Sequence, residues 1–67
     1  MNEHILYTWV FHYNTHTKLW YAFHREDYRA YWNGEQTKFP VIKSKDHSVL
    51  VQILEHTKGD PIMIEKL

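Results

Sequence analysis

Hydrophobic positions change character along this chain. From Ile5 to His24 they are aromatic and β-branched, in two runs separated by Asn14-Thr15-His16-Thr17-Lys18. Residues 5–13 and 18–24 carry the residue types that strands favour. Asn14 can turn the chain by bonding its side chain to nearby backbone, so the two runs predict a hairpin. Strand alternation sets Tyr7, Trp9, Phe11 and Tyr13 on one side and Thr8, Val10 and His12 on the other. In the second run the sets are Leu19, Tyr21 and Phe23 against Trp20, Ala22 and His24. A loop of odd length brings the two bulky sets onto one face, and an even loop mixes them. A one-residue slip turns every side chain over, so the odd loop is expected. It gives a core face of Tyr7, Trp9, Phe11, Tyr13, Leu19, Tyr21 and Phe23. The other face is mixed: Thr8, Val10, His12, Trp20, Ala22 and His24.

Periodicity then switches to helical. Tyr28, Tyr31 and Trp32 stand at i, i+3 and i+4, the spacing of one helix face. Glu26 and Asp27 suit the positive N-terminal end, and Asn33-Gly34 supplies a left-handed stop. A short helix over 25–33 follows. The competing reading of Asn-Gly as a hairpin turn lacks a partner, since Glu35-Gln36-Thr37-Lys38 is a poor strand. Residues 39–43 are extended at most, and Pro40 confines them to a sheet edge. Ser44 can cap a helix over 45–57 with the stripe Val49, Leu50, Ile53 and Leu54, closed by Gly59 and Pro61. Val49, Val51 and Ile53 also fit a strand at period two. Residues 61–66 read as a final short strand. The expected fold is a small single α+β domain spanning 1–67, in the order ββα(β)αβ. An antiparallel sheet holds the aromatic hairpin, and the aliphatic helix covers one face.

Composition sharpens this picture. Of eleven aromatic residues, only Phe39 lies outside Tyr7–Trp32. A 67-residue domain buries only about 60% of its unfolded surface, and with no cysteine it has no disulfide to reinforce it. Large side chains and self-association are the remaining devices. The absence of cysteine fits a reducing, cytoplasmic setting. The formal net charge is zero, and it is zero in each half. Residues 1–34 set Lys18, Arg25 and Arg29 against Glu3, Glu26 and Asp27, and five lysines balance five acids in the rest. The basic bias of a duplex binder is missing. The longest run without Lys, Arg, Asp or Glu, His4–Thr17, is too short to span a bilayer. Met-Asn-Glu-His has no basic region, so no signal peptide is expected.

Six histidines raise the question of a metal. No His-x-His or Cys/His pattern of the structural zinc type is present. On the expected register His12 and His24 share the mixed face, roughly 13 Å apart at about 3.3 Å per residue, too far for one ion. His47 and His56 fall on opposite sides of a helix. No metal and no cofactor are expected, and Gly34 and Gly59 form no phosphate loop. Three pairings could do acid–base work: His24 with Glu26 and Asp27, Asp46-His47, and Glu55-His56. Adjacent helical positions do not face one another, however, and a chain this short has little room for a closed pocket. No catalytic residue is assigned.

Protein contact is what remains. One helix covers one sheet face, so the aromatics left over should form an interaction surface, for which Val10, His12, Trp20 and Trp32 are the candidates. The uncharged segment Ile5–Phe11 would aggregate as an open edge, so pairing with a second copy is expected to be one way of covering it. The expected function is a non-catalytic protein–protein interaction module, with a homodimer as one form. The alternative is a single-strand nucleic-acid binder that stacks bases on Trp20. Lys18, Arg25, Lys38, Lys43 and Lys45 would be its phosphate contacts.

Overall fold

The computed structural model describes residues 7–66. Ile5 and Leu6, the start of the expected first strand, lie outside the described residues. Strands β1 (Trp9–Asn14) and β2 (Leu19–His24) form an antiparallel hairpin, and β3 (Ile42–Ser44) joins β2 at the sheet edge. Between β2 and β3 come a 3-10 turn (Arg25–Asp27) and helix α1 (Tyr28–Trp32). Helices α2 (His47–Thr57) and α3 (Pro61–Glu65) follow. The fold is α+β, a three-stranded antiparallel sheet with helices packed on it.

The hairpin turns through four residues. Asn14 Oδ1 accepts from the backbone N–H groups of His16 and Thr17 at 2.8 and 3.1 Å. The N–H of Lys18 donates to the Asn14 carbonyl at 2.7 Å, with Lys18 left-handed at φ 58°. The loop is therefore even, not odd. It sets Phe11 opposite Ala22 and Tyr13 opposite Trp20. This corrects the expected register and divides the bulky residues between the faces. Trp9, Phe11, Tyr13, Trp20, Ala22 and His24 share one side. Val10, His12, Leu19, Tyr21 and Phe23 share the other. His12 and His24 thus stand on opposite faces, not together on one. Tyr7 and Thr8 are helical, so the strand begins at Trp9.

The first face carries the larger core. Trp9, Ala22, Leu50, Leu54 and Ile64 are buried together, flanked by Phe11, Trp20 and Ile42. Burying each leucine contributes roughly 2 kcal/mol. The α2 stripe is Leu50, Leu54 and Thr57, with Val49 left exposed. Thr57 is tolerated inside because its hydroxyl donates to the Ile53 carbonyl at 2.8 Å. The Trp9 indole N–H donates to the Gly59 carbonyl at 3.3 Å, tying β1 to the turn after α2.

Three helix boundaries are closed in different ways. After α1, the Gly34 N–H donates to the Tyr31 carbonyl and the Glu35 N–H to the Ala30 carbonyl, with Gly34 at φ 71°. This is the glycine-closed left-handed stop expected of Asn33-Gly34. Before α2, Ser44 ends β3 and accepts from the Asp46 N–H at 3.2 Å instead of capping the helix, which starts at His47. After α2, Lys58 takes the first left-handed position, at φ 57°, where the sequence pattern placed Gly59. Residues 61–65 are helix α3, not a final strand. Asp60 caps it by accepting from the Ile62 N–H at 3.0 Å, Pro61 fills its first turn, and Ile64 enters the core.

Candidate functional site

The second sheet face is covered by one short helix. Its Schellman stop at Gly34 limits α1 to five residues, too short to form alone, so packing holds it in place. Tyr31 lies flat on Phe23, with ring centroids 4.0 Å apart and planes at 11°. Trp32 meets His12 edge-on at 4.5 Å and Phe23 at 6.2 Å. Tyr28 leans on Trp32 at 6.1 Å. The edge contacts of Trp32 are a favoured aromatic geometry, worth about 0.5–1.5 kcal/mol each beyond area. Phe23 is fully buried beneath them, yet Trp32 stays 49% exposed and Tyr28 54%. An aromatic patch packed on its inner side faces solvent.

The Tyr31 hydroxyl and His12 Nδ1 share a hydrogen bond of 3.1 Å. Burial, and secondly the neighbouring Tyr21, push the Tyr31 phenol above its ordinary pKa of 10.0. The hydroxyl therefore stays neutral at physiological pH and orients the His12 ring under Trp32. It is not poised as a base.

At the other end of β2 the arrangement is structural. His24 Nδ1 accepts from the Glu26 N–H at 3.1 Å and lies 3.9 Å from the Glu26 carboxylate. One nitrogen cannot accept that N–H and carry a proton toward the carboxylate, so the shorter, directional bond decides the tautomer. The ring packs between Trp9 and Phe39, with centroids at 5.3 and 4.2 Å. Asp27 is the feature that the sequence pattern does not reveal. The residue is 4% exposed, and its carboxylate accepts from the Lys38 and Phe39 N–H groups at 2.9 and 2.8 Å. Two backbone donors replace the water it has lost, and the long connection to β3 is held against α1. Both donors are main-chain groups, so no side-chain type announced the contact. Beside that connection lies an open cleft of about 530 Å³, lined in part by Phe39, Pro40, Pro61 and Ile62.

Val10, His12 and Trp32 come together on the aromatic face. Trp20 does not join them. It lies half-buried on the opposite face, where its ring meets Tyr13 at 5.3 Å and His47 at 4.9 Å. The five basic candidates are spread out. Lys18 sits in the hairpin loop, and Arg25 lies at the far end of β2 over the Tyr7 ring at 4.3 Å. Lys38 lies over Phe39 at 5.3 Å. Lys43 stands opposite Tyr21 on β3, and Lys45 follows that strand. Among the described residues no group of three or more His, Cys, Asp or Glu could hold a metal ion, and no helix is long and apolar enough to cross a membrane.

Comparison with protein-family models gives no match, and neither curated proteins nor solved structures include a match to this chain.

Proposed function

We propose that this domain is a non-catalytic protein–protein interaction module whose contact surface is the aromatic face around Trp32. The observation that carries this reading is the pairing of exposure with close ring packing. Trp32 and Tyr28 stay half exposed while His12, Tyr31 and Phe23 fix the platform beneath them. Rigid aromatic anchors bind at low entropic cost, and Trp and Tyr are the residues most enriched at interface hot spots. Val10 and His12 form the strand side of the patch. Zero net charge and scattered lysines favour a protein partner over a phosphate backbone. A cytoplasmic setting belongs to this reading, supported by a chain without cysteine.

The test is capture of binding proteins by the wild type and by Trp32→Ala, with Tyr28→Ala as the second variant. Far-UV circular dichroism checks folding. The expected result is a protein retained by the wild type and lost or weakened at least tenfold by Trp32→Ala, which corresponds to about 1.4 kcal/mol. Undiminished capture by both variants overturns the reading. So does tryptophan quenching by a single-stranded oligonucleotide that salt reverses.

A further inference from the structure

The stop that closes α1 is also the one Asn-Gly pair in the chain. The other asparagines are Asn2, before Glu3, and Asn14, before Thr15. A backbone nitrogen can attack the side-chain carbonyl of the asparagine before it. A side chain on the attacking residue crowds the five-membered ring that forms. Glycine has none, whereas Thr15 is β-branched. Asn33 and Gly34 are both exposed, and a Cβ added at Gly34 would meet nothing within 4 Å. The folded backbone nonetheless holds this reaction back. Ring closure needs the Gly34 nitrogen on the same side of the Asn33 Cα–C bond as Cβ. Tetrahedral geometry puts Cβ roughly 120° from the backbone nitrogen, so the reactive ψ is about −120°. Asn33 stands at ψ −1°. Turning the peptide that far breaks the bonds from the Gly34 and Glu35 N–H groups to the Tyr31 and Ala30 carbonyls, at 3.3 and 2.8 Å. A five-residue helix held only by packing opens locally far more readily than the sheet does.

We propose that Asn33 is a site of spontaneous deamidation and that opening of the α1 stop sets its rate. The Gly34 nitrogen gives up its proton to water or hydroxide and bonds to Asn33 Cγ. The side-chain nitrogen takes a proton from water and leaves as ammonia. The succinimide then takes up one water at either of its carbonyls. Attack at one gives aspartate. Attack at the other gives isoaspartate, in which the main chain runs through the side chain and is one methylene longer. Water is the only co-reactant. Both products place a carboxylate next to Trp32. The isoaspartate also moves the Gly34 and Glu35 N–H groups out of line with the Tyr31 and Ala30 carbonyls. The glycine-closed stop is lost, and with it the hold of α1 on Tyr31 and Trp32. A closed α1 preserves the aromatic face, and an open one starts its irreversible loss. The inference does not depend on what that face binds.

Incubation of the full chain at mildly alkaline pH, followed by peptide mapping and mass spectrometry, tests the site. The wild type should gain the mass difference between an amide and an acid at Asn33 and yield isoaspartate there, with Asn14 unchanged. Asn33→Gln needs a larger and slower ring, so it should keep the far-UV circular dichroism of the wild type and form no isoaspartate at that position. Unfolding in urea should speed conversion of Asn33 at least about tenfold, because the open state is then fully populated. Trp32→Ala removes ring contacts that hold α1, and it should convert faster than the wild type while the sheet stays folded. Hydrogen exchange at the Glu35 amide should be faster in the isoaspartate fraction than in the unmodified protein. A folded chain that converts Asn33 no faster than Asn14, or isoaspartate at an undiminished level in Asn33→Gln, overturns the site. Equal rates in folded and unfolded protein, or a wild-type rate in Trp32→Ala, overturn the control by α1. An isoaspartate form whose Glu35 amide stays protected overturns the loss of the stop.

Discussion

Ala22 and Phe23 are neighbours in β2, and both are fully buried. They look in opposite directions. Over Ala22 the sheet meets Leu50, Leu54 and Ile64, all closed to solvent. Over Phe23 it meets Tyr31 and Trp32, and the outer ring is half exposed. The first face is closed by aliphatic side chains from two helices, the second by stacked rings from a single short one. Aliphatic packing stabilises by excluding water completely. Aromatic stacking leaves rings that are both held and accessible. A 67-residue chain thereby closes one sheet face completely and leaves packed rings half exposed on the other.

The largest expected effect lies on the closed face. Leu54→Ala should cost about 3–4 kcal/mol through lost transfer energy and a cavity. For a domain this size, total stability is on the order of 3–10 kcal/mol at about 0.05–0.15 kcal/mol per residue. Urea melts should therefore show a much earlier midpoint for this variant. A cost below about 1 kcal/mol would mean that the aliphatic face is not the main core.

Asp27→Asn should cost about 2 kcal/mol, because the amide offers one acceptor oxygen to two backbone donors. Hydrogen exchange at the Lys38 and Phe39 amides should accelerate first. If both amides stay protected, the carboxylate does not anchor the loop.

Tyr31→Phe should cost about 1 kcal/mol, the worth of one hydrogen bond, and should change the alkaline behaviour. The Tyr31 phenol is raised above 10.0 by burial, so the folded state holds its proton more tightly than the unfolded chain. Its contribution is fully present below pH about 10, the unfolded value, and is lost as pH rises through the folded one. Melts of wild type and Tyr31→Phe should therefore converge above about pH 10. A constant gap across that range would contradict burial as the cause.

The smallest effect has the opposite sign. Lys58 closes α2 in a left-handed conformation that glycine adopts without strain. Lys58→Gly should stabilise the closed face by about 0.5–1 kcal/mol. A lower melting temperature would show that the lysine side chain contributes packing or charge that outweighs the strain.

Much of the fold was legible from residue types. The stop at Asn33-Gly34, the helix spanning Leu50 and Leu54, and the edge position of β3 after Pro40 all follow from local chemistry. The hairpin register did not. Gathering every bulky residue on one face assumes one core, and the sheet is covered on both sides. No local signal places Lys18 in a left-handed conformation, although Asn14 did signal a turn. The final helix departs from its sequence pattern for a different reason. Ile62-Met63-Ile64 looks strand-like, while Asp60-Pro61, a cap followed by a first-turn proline, was the stronger signal. The register also decides the candidate surface. It keeps Val10, His12 and Trp32 together and moves Trp20 to the closed side.

The division between the two faces is tested most directly by the urea denaturation of Trp32→Lys. Lysine keeps an aliphatic stem to lie over His12 and Phe23, and its charge suits the C-terminal end of α1. If Trp32 belongs to an exposed contact surface, the variant should unfold cooperatively and lose only about 1–2 kcal/mol, the low end of what its ring contacts contribute at a half-exposed site. A loss of about 3 kcal/mol or more, comparable with Leu54→Ala, would show that Trp32 is core and that the aromatic face is not free to bind.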